Sequence, residues 1–175
     1  MLFWHVGATI AFVRYAFRDE AMDLRFLALG AVLPDIVDTP IGLILWSTWQ
    51  TPRLWTHSLL FGSVLMAVTL AVTRRGDRRK QWMLLATGVL MHLALDGMWT
   101  QPESLWWPFL GFEFTGTGLA TVAEYVSQVV RDPWMWLGEV GGLGYLGYLW
   151  WRSGLNQAHQ RAMLLATGRV SAPID

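Results

Sequence analysis

The 175-residue chain contains no cysteine, which excludes disulfide bonds and thiolate metal ligands. Charged residues are also scarce, at 15% of the chain compared with about 25% in an average soluble domain. Thirteen basic residues balance thirteen acidic ones, so there is no excess positive charge to attract nucleic acid. The composition therefore argues against a soluble enzyme and against a nucleic-acid-binding protein. Any metal must be held by His, Asp or Glu.

Apolar and aromatic residues take the place of the missing charges. Hydrophobic residues make up 54% of the chain, and twelve of the 175 residues are tryptophan. Tryptophan concentrates where an apolar surface meets water, as it does at the two faces of a membrane. We therefore predict an integral membrane protein in which most tryptophans anchor the chain at the interfaces.

Apolar stretches predict about five membrane-embedded helices and an all-α polytopic protein. The clearest stretch lacks formal charge over twenty residues, which matches a hydrocarbon core of about 30 Å. The first two are short enough to be half-spans or a buried hairpin, and the second leads into Pro34, where a helix should stop or kink. The first has no basic segment before it and does not resemble a signal peptide. The five stretches are Leu2–Val13, Ala21–Leu33, Leu54–Thr73, Gln81–Leu95 and Trp134–Trp151.

Basic residues predict the orientation. Five of them lie between Arg74 and Lys80, joining the two best spans, and this loop should face the cytoplasm. The predicted domains are a single membrane domain over residues 1–155 and a polar cytoplasmic tail over residues 156–175. On the opposite side we place residues 101–133, a Trp-, Pro- and Gly-rich loop with one short amphipathic helix.

Six ionisable residues lie within or beside the apolar stretches, where charge is costly and usually functional. His92 and Asp96 are four residues apart, so they share one helix face. Asp35 and Asp38 follow a proline, where the freed backbone can line a cavity. In the predicted topology all six fall at the outer face, and Glu139 lies at a similar depth. The six are His5, Asp35, Asp38, His57, His92 and Asp96.

Each of these features also has a purely structural interpretation. A membrane histidine can be a hydrogen-bond partner between helices, a PDxxD sequence can form a turn, and HxxxD can be a buried ion pair. Glu139 fits a metal ligand, a support for a ligand, or a partner for an arginine. Convergence favours a metal site, because three of the four histidines meet at one face. The fourth, His159, lies in the polar tail and should be solvated.

Four separated motifs resemble the membrane-bound metal-dependent hydrolase family that includes the YdjM-like, LexA-binding inner-membrane proteins of bacteria. The resemblance covers roughly residues 1–110 and implies an all-α inner-membrane hydrolase whose metal site uses the six residues above. More distantly, the order of motifs is similar to helical zinc-dependent phospholipase C, although a second HxxxE-type pair is missing. The motifs are His5, GAVLPDIVD at 30–38, RLWTHSLLFG at 53–62 and HLALDGMWTQPESLWWPF at 92–109.

The chemistry that these residue types support is hydrolysis by metal-activated water. Mixed nitrogen and oxygen ligands suit one or two Zn²⁺ ions, with Mn²⁺ or Fe²⁺ as alternatives. Arg53 is the nearest cation for a phosphate oxygen, with the hydroxyls at positions 56 and 58 beside it. Either Asp38 or Asp96 is the expected base if it does not ligate. Because the site lies at the outer interface among tryptophans, and because of the remote resemblance to phospholipase C, we favour a phospholipid or lipid-linked phosphoester as substrate. The same residues would also suit an amide or ester.

Two other classes of function remain open from the sequence. In a transporter or metal carrier, the same ligands would bind an ion in transit. In a regulatory adaptor, the basic loop or the tail would bind a cytosolic protein and the polar cluster would be structural. The surrounding lipid is a partner in every case.

Overall fold

A computed structural model of the chain describes residues 1–173, and all regular structure in that range is helical. Five long helices alternate with short ones and loops. Two short 3₁₀ turns, at Trp55–His57 and Met98–Thr100, flank the polar motifs. The α-helices are α1 (Leu2–Phe17), α2 (Leu24–Ile44), α3 (Trp46–Trp49), α4 (Leu59–Val72), α5 (Asp77–Leu95), α6 (Pro102–Leu105), α7 (Val122–Arg131), α8 (Pro133–Arg152) and α9 (Ala158–Thr167).

The all-α prediction is confirmed, and each of the five long helices overlaps one of the five predicted apolar stretches. Helix α2 continues to Ile44, well past the predicted end at Leu33, and α4 begins only at Leu59 because the residues before it form a 3₁₀ turn. Only α2, with 21 residues, is long and apolar enough to cross a membrane among the helices of residues 1–173. Helices α1 and α4 are apolar but shorter. The arrangement of five spans therefore stays a prediction.

Helix α2 runs through Pro34 and Pro40, so the predicted stop at Pro34 is wrong. A proline inside a helix removes one backbone hydrogen bond and costs about 3 kcal/mol. Two neighbouring carbonyls of the helix accept side-chain hydrogen bonds from other segments, since His92 Nδ1 donates to Ala31 O and Thr56 Oγ1 donates to Pro34 O, at 2.7 and 3.2 Å. Packing against α5 adds further stabilisation, and the proline is tolerated.

Glycines set the two closest helix contacts. A Cβ atom on Gly30 of α2 would lie 2.1 Å from the carbonyl oxygen of Leu85 on α5. A Cβ atom on Gly142 of α8 would lie 2.0 Å from the carbonyl oxygen of Phe3 on α1. Small residues of this kind allow helix backbones to approach closely in membrane proteins. Helix α2 is thereby held against α5 and α8 against α1, and α1 also contacts α2 and α5.

The segment predicted as a polar tail returns to the bundle. It contains α9, and Ala172 beyond it is buried in the hydrophobic core. Leu24 N donates to Gly168 O at 2.8 Å, which places the end of α9 against the start of α2.

Asp23 lies beside this contact. Burial acts to raise the pKa of its carboxyl group, but hydrogen bonds from Arg25 and Gln81 outweigh burial and hold the pKa below its usual range.

Candidate functional site

The six predicted residues come together at one end of the bundle. Each arrives from a different position in the fold, and their side chains meet between α1, α2 and α5. Helix α1 supplies His5, α2 supplies Asp35 and Asp38, the 3₁₀ turn before α4 supplies His57, α5 supplies His92, and the residue that ends α5 is Asp96.

Asp38 supports His57 from the side away from the centre of the cluster. Its Oδ2 accepts the Nδ1–H of His57 at 2.8 Å. The same oxygen accepts three backbone N–H groups, from Leu54, Thr56 and His57, at 2.9 to 3.1 Å. Asp38 is fully buried. It therefore fixes the turn and the histidine ring, and it belongs to neither group of potential metal ligands.

The other two histidines are held in the same way by backbone carbonyls. His92 Nδ1 donates to Ala31 O at 2.7 Å, and His5 Nδ1 bonds Met1 O. A carbonyl or carboxylate oxygen only accepts here, so the hydrogen of each neutral ring lies on Nδ1. All three Nε2 atoms therefore carry a lone pair.

These lone pairs face other acceptors in two adjoining groups that share His92. The Nε2 atoms of His57 and His92 are 3.2 Å apart, although neither has a hydrogen to donate in this tautomer. His5 Nε2 lies 2.9 Å from Asp96 Oδ1 and is a buried atom without a hydrogen bond. All three rings are fully buried. Such an arrangement of acceptors requires a cation or a shared proton between them.

A metal ion fits this donor set. At Zn–N distances of about 2.05 Å, two ligands of a tetrahedral ion lie about 3.3 Å apart. The separation of the two Nε2 atoms agrees with that edge, and Asp35 Oδ1 is 3.5 and 3.7 Å from His57 and His92. Metal-binding histidines also characteristically donate their second ring N–H to a carbonyl or carboxylate. Within the described chain, ligand atoms group as His5, His92 and Asp96, and as Asp35, His57 and His92.

Arg53 lies at the edge of the cluster. Its Nε donates to Asp96 Oδ2 at 2.7 Å, and its side chain is one-quarter exposed. Within residues 1–173 no hydrogen bond involves its Nη1 or Nη2. Asp35 is the other residue of the cluster that reaches the surface. Its side chain is 35% exposed, compared with 5% for Asp96. The cluster is thus closed except where Asp35 and Arg53 reach the surface.

Three further residues of the sequence prediction have other roles. Glu139 accepts hydrogen bonds from the backbone N–H groups of Phe3 and Trp4, at 3.0 and 3.5 Å, and so caps α1. Thr56 Oγ1 bonds the carbonyl of Pro34, and Ser58 Oγ bonds the carbonyl of Trp55. Ser58 Oγ also accepts the N–H of Phe61 at the start of α4. The structure brings none of the three side chains into the ligand groups, and the two hydroxyls are engaged in local structure.

Sequence reasoning missed Tyr125. This residue lies on α7, and its ring contacts Trp46, with ring centroids 5.2 Å apart. Burial raises the pKa of Tyr125, while the charge of Arg53 acts to lower it. The pKa of this phenol thus responds to the charge of Arg53, which lies at the open edge of the cluster. The signal in the sequence was the capping box of Thr121 and Glu124, which marks the start of α7.

Comparison with known proteins identifies one family. The family described as YdjM inner membrane protein matches residues 3–171, nearly the whole described chain. No curated protein and no solved structure matches the chain.

Proposed function

Because the chain belongs to the YdjM inner membrane protein family, we propose that it is a membrane-bound metal-dependent hydrolase of the bacterial inner membrane. One observation carries the proposal. The histidines at positions 5, 57 and 92 each hold a hydrogen on Nδ1 against a fixed acceptor, and their Nε2 atoms belong to two buried ligand groups that share His92. A purely structural network would pair donors with acceptors, whereas here acceptors face acceptors.

The ligands in this proposal are the three Nε2 atoms with Asp35 and Asp96. Two overlapping groups that share His92 are compatible with one or two Zn²⁺ ions, with Mn²⁺ or Fe²⁺ as alternatives. When bound, such an ion lowers the pKa of a coordinated water towards neutrality and polarises the bond to be cleaved.

We assign the remaining roles, which are positioning, proton transfer and substrate binding, to residues of this chain. Asp38 holds His57 in position. Asp35 would ligate through Oδ1, and its other oxygen, Oδ2, belongs to the more exposed carboxylate and is placed to accept the proton of a nucleophilic water. Asp38 cannot serve as that base, because its Oδ2 already accepts four hydrogens and its Oδ1 is buried. Arg53 is oriented by Asp96 and presents its Nη groups to an anionic substrate oxygen.

The surroundings of the cluster favour a lipid substrate. Large aromatic side chains are exposed on the segments that follow Asp96 and on the start of α8. A site at an aromatic interface suits an amphiphile that enters from the membrane and presents its phosphoester at headgroup depth. These side chains are Trp99, Trp106, Phe109, Phe112, Trp134 and Trp136.

Arg53→Lys should lower turnover of a phosphodiester lipid by roughly ten- to hundredfold while leaving the metal content unchanged. The planar guanidinium donates to Asp96 through Nε while its Nη groups stay in a fixed fork towards a phosphate oxygen, and the point-like ammonium of lysine does not reproduce that geometry. The measurement is hydrolysis of a short-chain fluorogenic phospholipid beside elemental analysis of the same sample. Arg131→Lys, at an exposed position on α7, is the matched control. Equal turnover by the Arg53 variant and wild type would remove Arg53 from the mechanism.

The proposed orientation places the cluster at the outer face, and cysteine labelling tests it. The chain has no cysteine, so Arg78→Cys and Glu113→Cys each create a single reactive thiol at an exposed position. A membrane-impermeant maleimide should label the thiol at 113 in intact cells, and the thiol at 78 only after the membrane is opened. The reverse pattern would put the cluster on the cytoplasmic side and exclude an outer-leaflet substrate.

A further inference from the structure

The two groups of potential metal ligands share one residue, His92. We call Asp35, His57 and His92 the open group, because Asp35 reaches the surface, and His5, His92 and Asp96 the closed group. The Nδ1 atom of His92 is engaged by a backbone carbonyl, so this ring has only Nε2 for a metal. The nitrogen has one lone pair and binds one ion. His92 can therefore serve only one of the two groups at a time.

The orientation of the imidazole rings favours the open group. An imidazole nitrogen directs its lone pair in the plane of the ring, so an ion bound by two histidines lies close to both ring planes. The rings of His57 and His92 are inclined by 69°, and their planes cross. The rings of His5 and His92 are stacked, with centroids 4.1 Å apart and planes inclined by only 22°. An ion between these two stacked rings would lie well outside both planes, so the closed group cannot use both histidines together.

Interatomic distances support the same choice. Within the open group, the three ligand atoms are 3.2, 3.5 and 3.7 Å apart, close to the edge of about 3.3 Å around a tetrahedral zinc ion. In the closed group, His5 Nε2 lies 2.9 Å from Asp96 Oδ1, which is shorter than that edge and within the range of an ion pair. The other oxygen of Asp96 accepts the Nε–H of Arg53 at 2.7 Å. His5, Asp96 and Arg53 thus form a continuous polar chain beside the open group.

The distribution of charge also favours one ion. The carboxylate of the closed group, Asp96, is already paired with the guanidinium of Arg53. On the open side, Asp35 and Asp38 both contact His57, and their two negative charges compensate one dipositive ion. The N-terminal ammonium, 3.5 Å from Asp35 Oδ2, adds positive charge to the same region. A second dipositive ion in the closed group would have only a carboxylate that is already paired, which is costly in a buried site.

We propose that the cluster binds a single ion, held by Asp35, His57 and His92, and that His5 and Asp96 do not ligate it but hold Arg53 in place. This inference rests on the proposed function and narrows its ligand set from five residues to three. Three protein ligands leave the fourth position of a tetrahedral ion open, as in catalytic zinc sites. Asp35 is the ligand that reaches the surface, where a substrate can approach. His5 and Asp96 are then positioning residues.

Titration of the full-length, metal-free protein with Co²⁺ in detergent tests the number of ions. Co²⁺ replaces Zn²⁺ in tetrahedral sites, and its visible absorption bands depend on the ligands that surround it. The bands should saturate at one equivalent, and elemental analysis after gel filtration should give the same ratio. Saturation at two equivalents would overturn the single-ion proposal and leave the proposed hydrolase intact. Absence of any binding would overturn both.

His5→Gln and His57→Gln form a matched pair, because each replaces a fully buried histidine by the same uncharged side chain. His5→Gln should keep one equivalent of Co²⁺, an affinity within about threefold of wild type and the same absorption bands. His57→Gln should bind more than tenfold more weakly and change the bands. Asp96→Asn tests the closed group a second time and should also keep one equivalent and the same bands. A folded His5→Gln or Asp96→Asn variant, as judged by circular dichroism, that loses the ion as His57→Gln does would contradict the ligand assignment.

A double variant tests whether Asp96 acts through Arg53. Asp96→Asn should lower kcat/KM for a short-chain phospholipid severalfold at unchanged metal content, because Arg53 loses its support. Combining Asp96→Asn with Arg53→Lys should cause no further loss beyond that of Arg53→Lys alone, since residues that act through one contact are not additive. Additive losses at full metal content would show that Asp96 does not work by positioning Arg53.

Discussion

Protein purified without chelator should contain about one to two equivalents of a transition metal, and His57→Ala or His92→Ala should each weaken binding by more than tenfold. The two Nε2 atoms are 3.2 Å apart in a fully buried centre, so removing one leaves an open coordination position. It also leaves the positive charge of the ion less compensated in a low-dielectric environment. His92 should have the larger effect, because it belongs to both ligand groups.

Elemental analysis and competition with a chelator measure this effect. His159→Ala is the control, since His159 is exposed on α9 and lies outside both groups. Removing the metal from the wild type should also lower its thermal stability, because the facing ligands then repel one another or take up protons. A wild-type protein that contains no metal and is indifferent to chelator would leave a shared proton between the imidazoles as the explanation. The hydrolase proposal would then fail.

Asp38→Ala should destabilise the protein by about 3 to 5 kcal/mol, the cost of removing one member of a buried charged network. Four N–H groups lose their common acceptor, and three of them belong to the backbone of the segment at Leu54, Thr56 and His57. Buried donors left without acceptors cost about 1 to 3 kcal/mol each. Chemical unfolding in detergent measures the change, with Glu20→Ala at an exposed position as the control.

The same variant separates a positioning role from a ligand role. If Asp38 organises the turn, the loss of stability should persist in metal-free protein. Asp38→Asn should in addition weaken metal binding by about ten- to hundredfold, since it disturbs the orientation of His57 without removing a ligand. A stability loss that disappears in the presence of chelator would show that Asp38 acts through the metal alone, and would contradict the role assigned here.

The six residues of the cluster could be selected from the sequence because two signals are local. His92 and Asp96 share a face at helical spacing, and ionisable residues in apolar stretches are costly enough to stand out. Residues 3–171 match the family that the motifs suggested. The roles inside the cluster could not be predicted in the same way. Asp35 and Asp38 lie in one motif, yet one faces the Nε2 atoms and the other lies behind His57.

Glu139 illustrates the same limit. The predicted topology placed Glu139 at the same distance from the membrane surface as the cluster. It did not determine the direction in which the side chain points. Its direction depends on how α8 packs against α1, where the contact at Gly142 brings the carboxylate to the N–H groups of Phe3 and Trp4. A helix start attracts a carboxylate through its unpaired N–H groups, and the structure uses Glu139 there.

By itself the sequence determined that the chain is helical, that it belongs in a membrane, and that a group of His and Asp residues meets at one end. These properties follow from composition and from periodicity along a single helix. Only the tertiary structure decided that α2 continues through Pro34, that the last helix returns to the bundle, and which atoms of the cluster face one another. The reason is physical, because each outcome depends on hydrogen-bond partners and packing surfaces supplied by segments distant in the chain, such as His92 for Ala31.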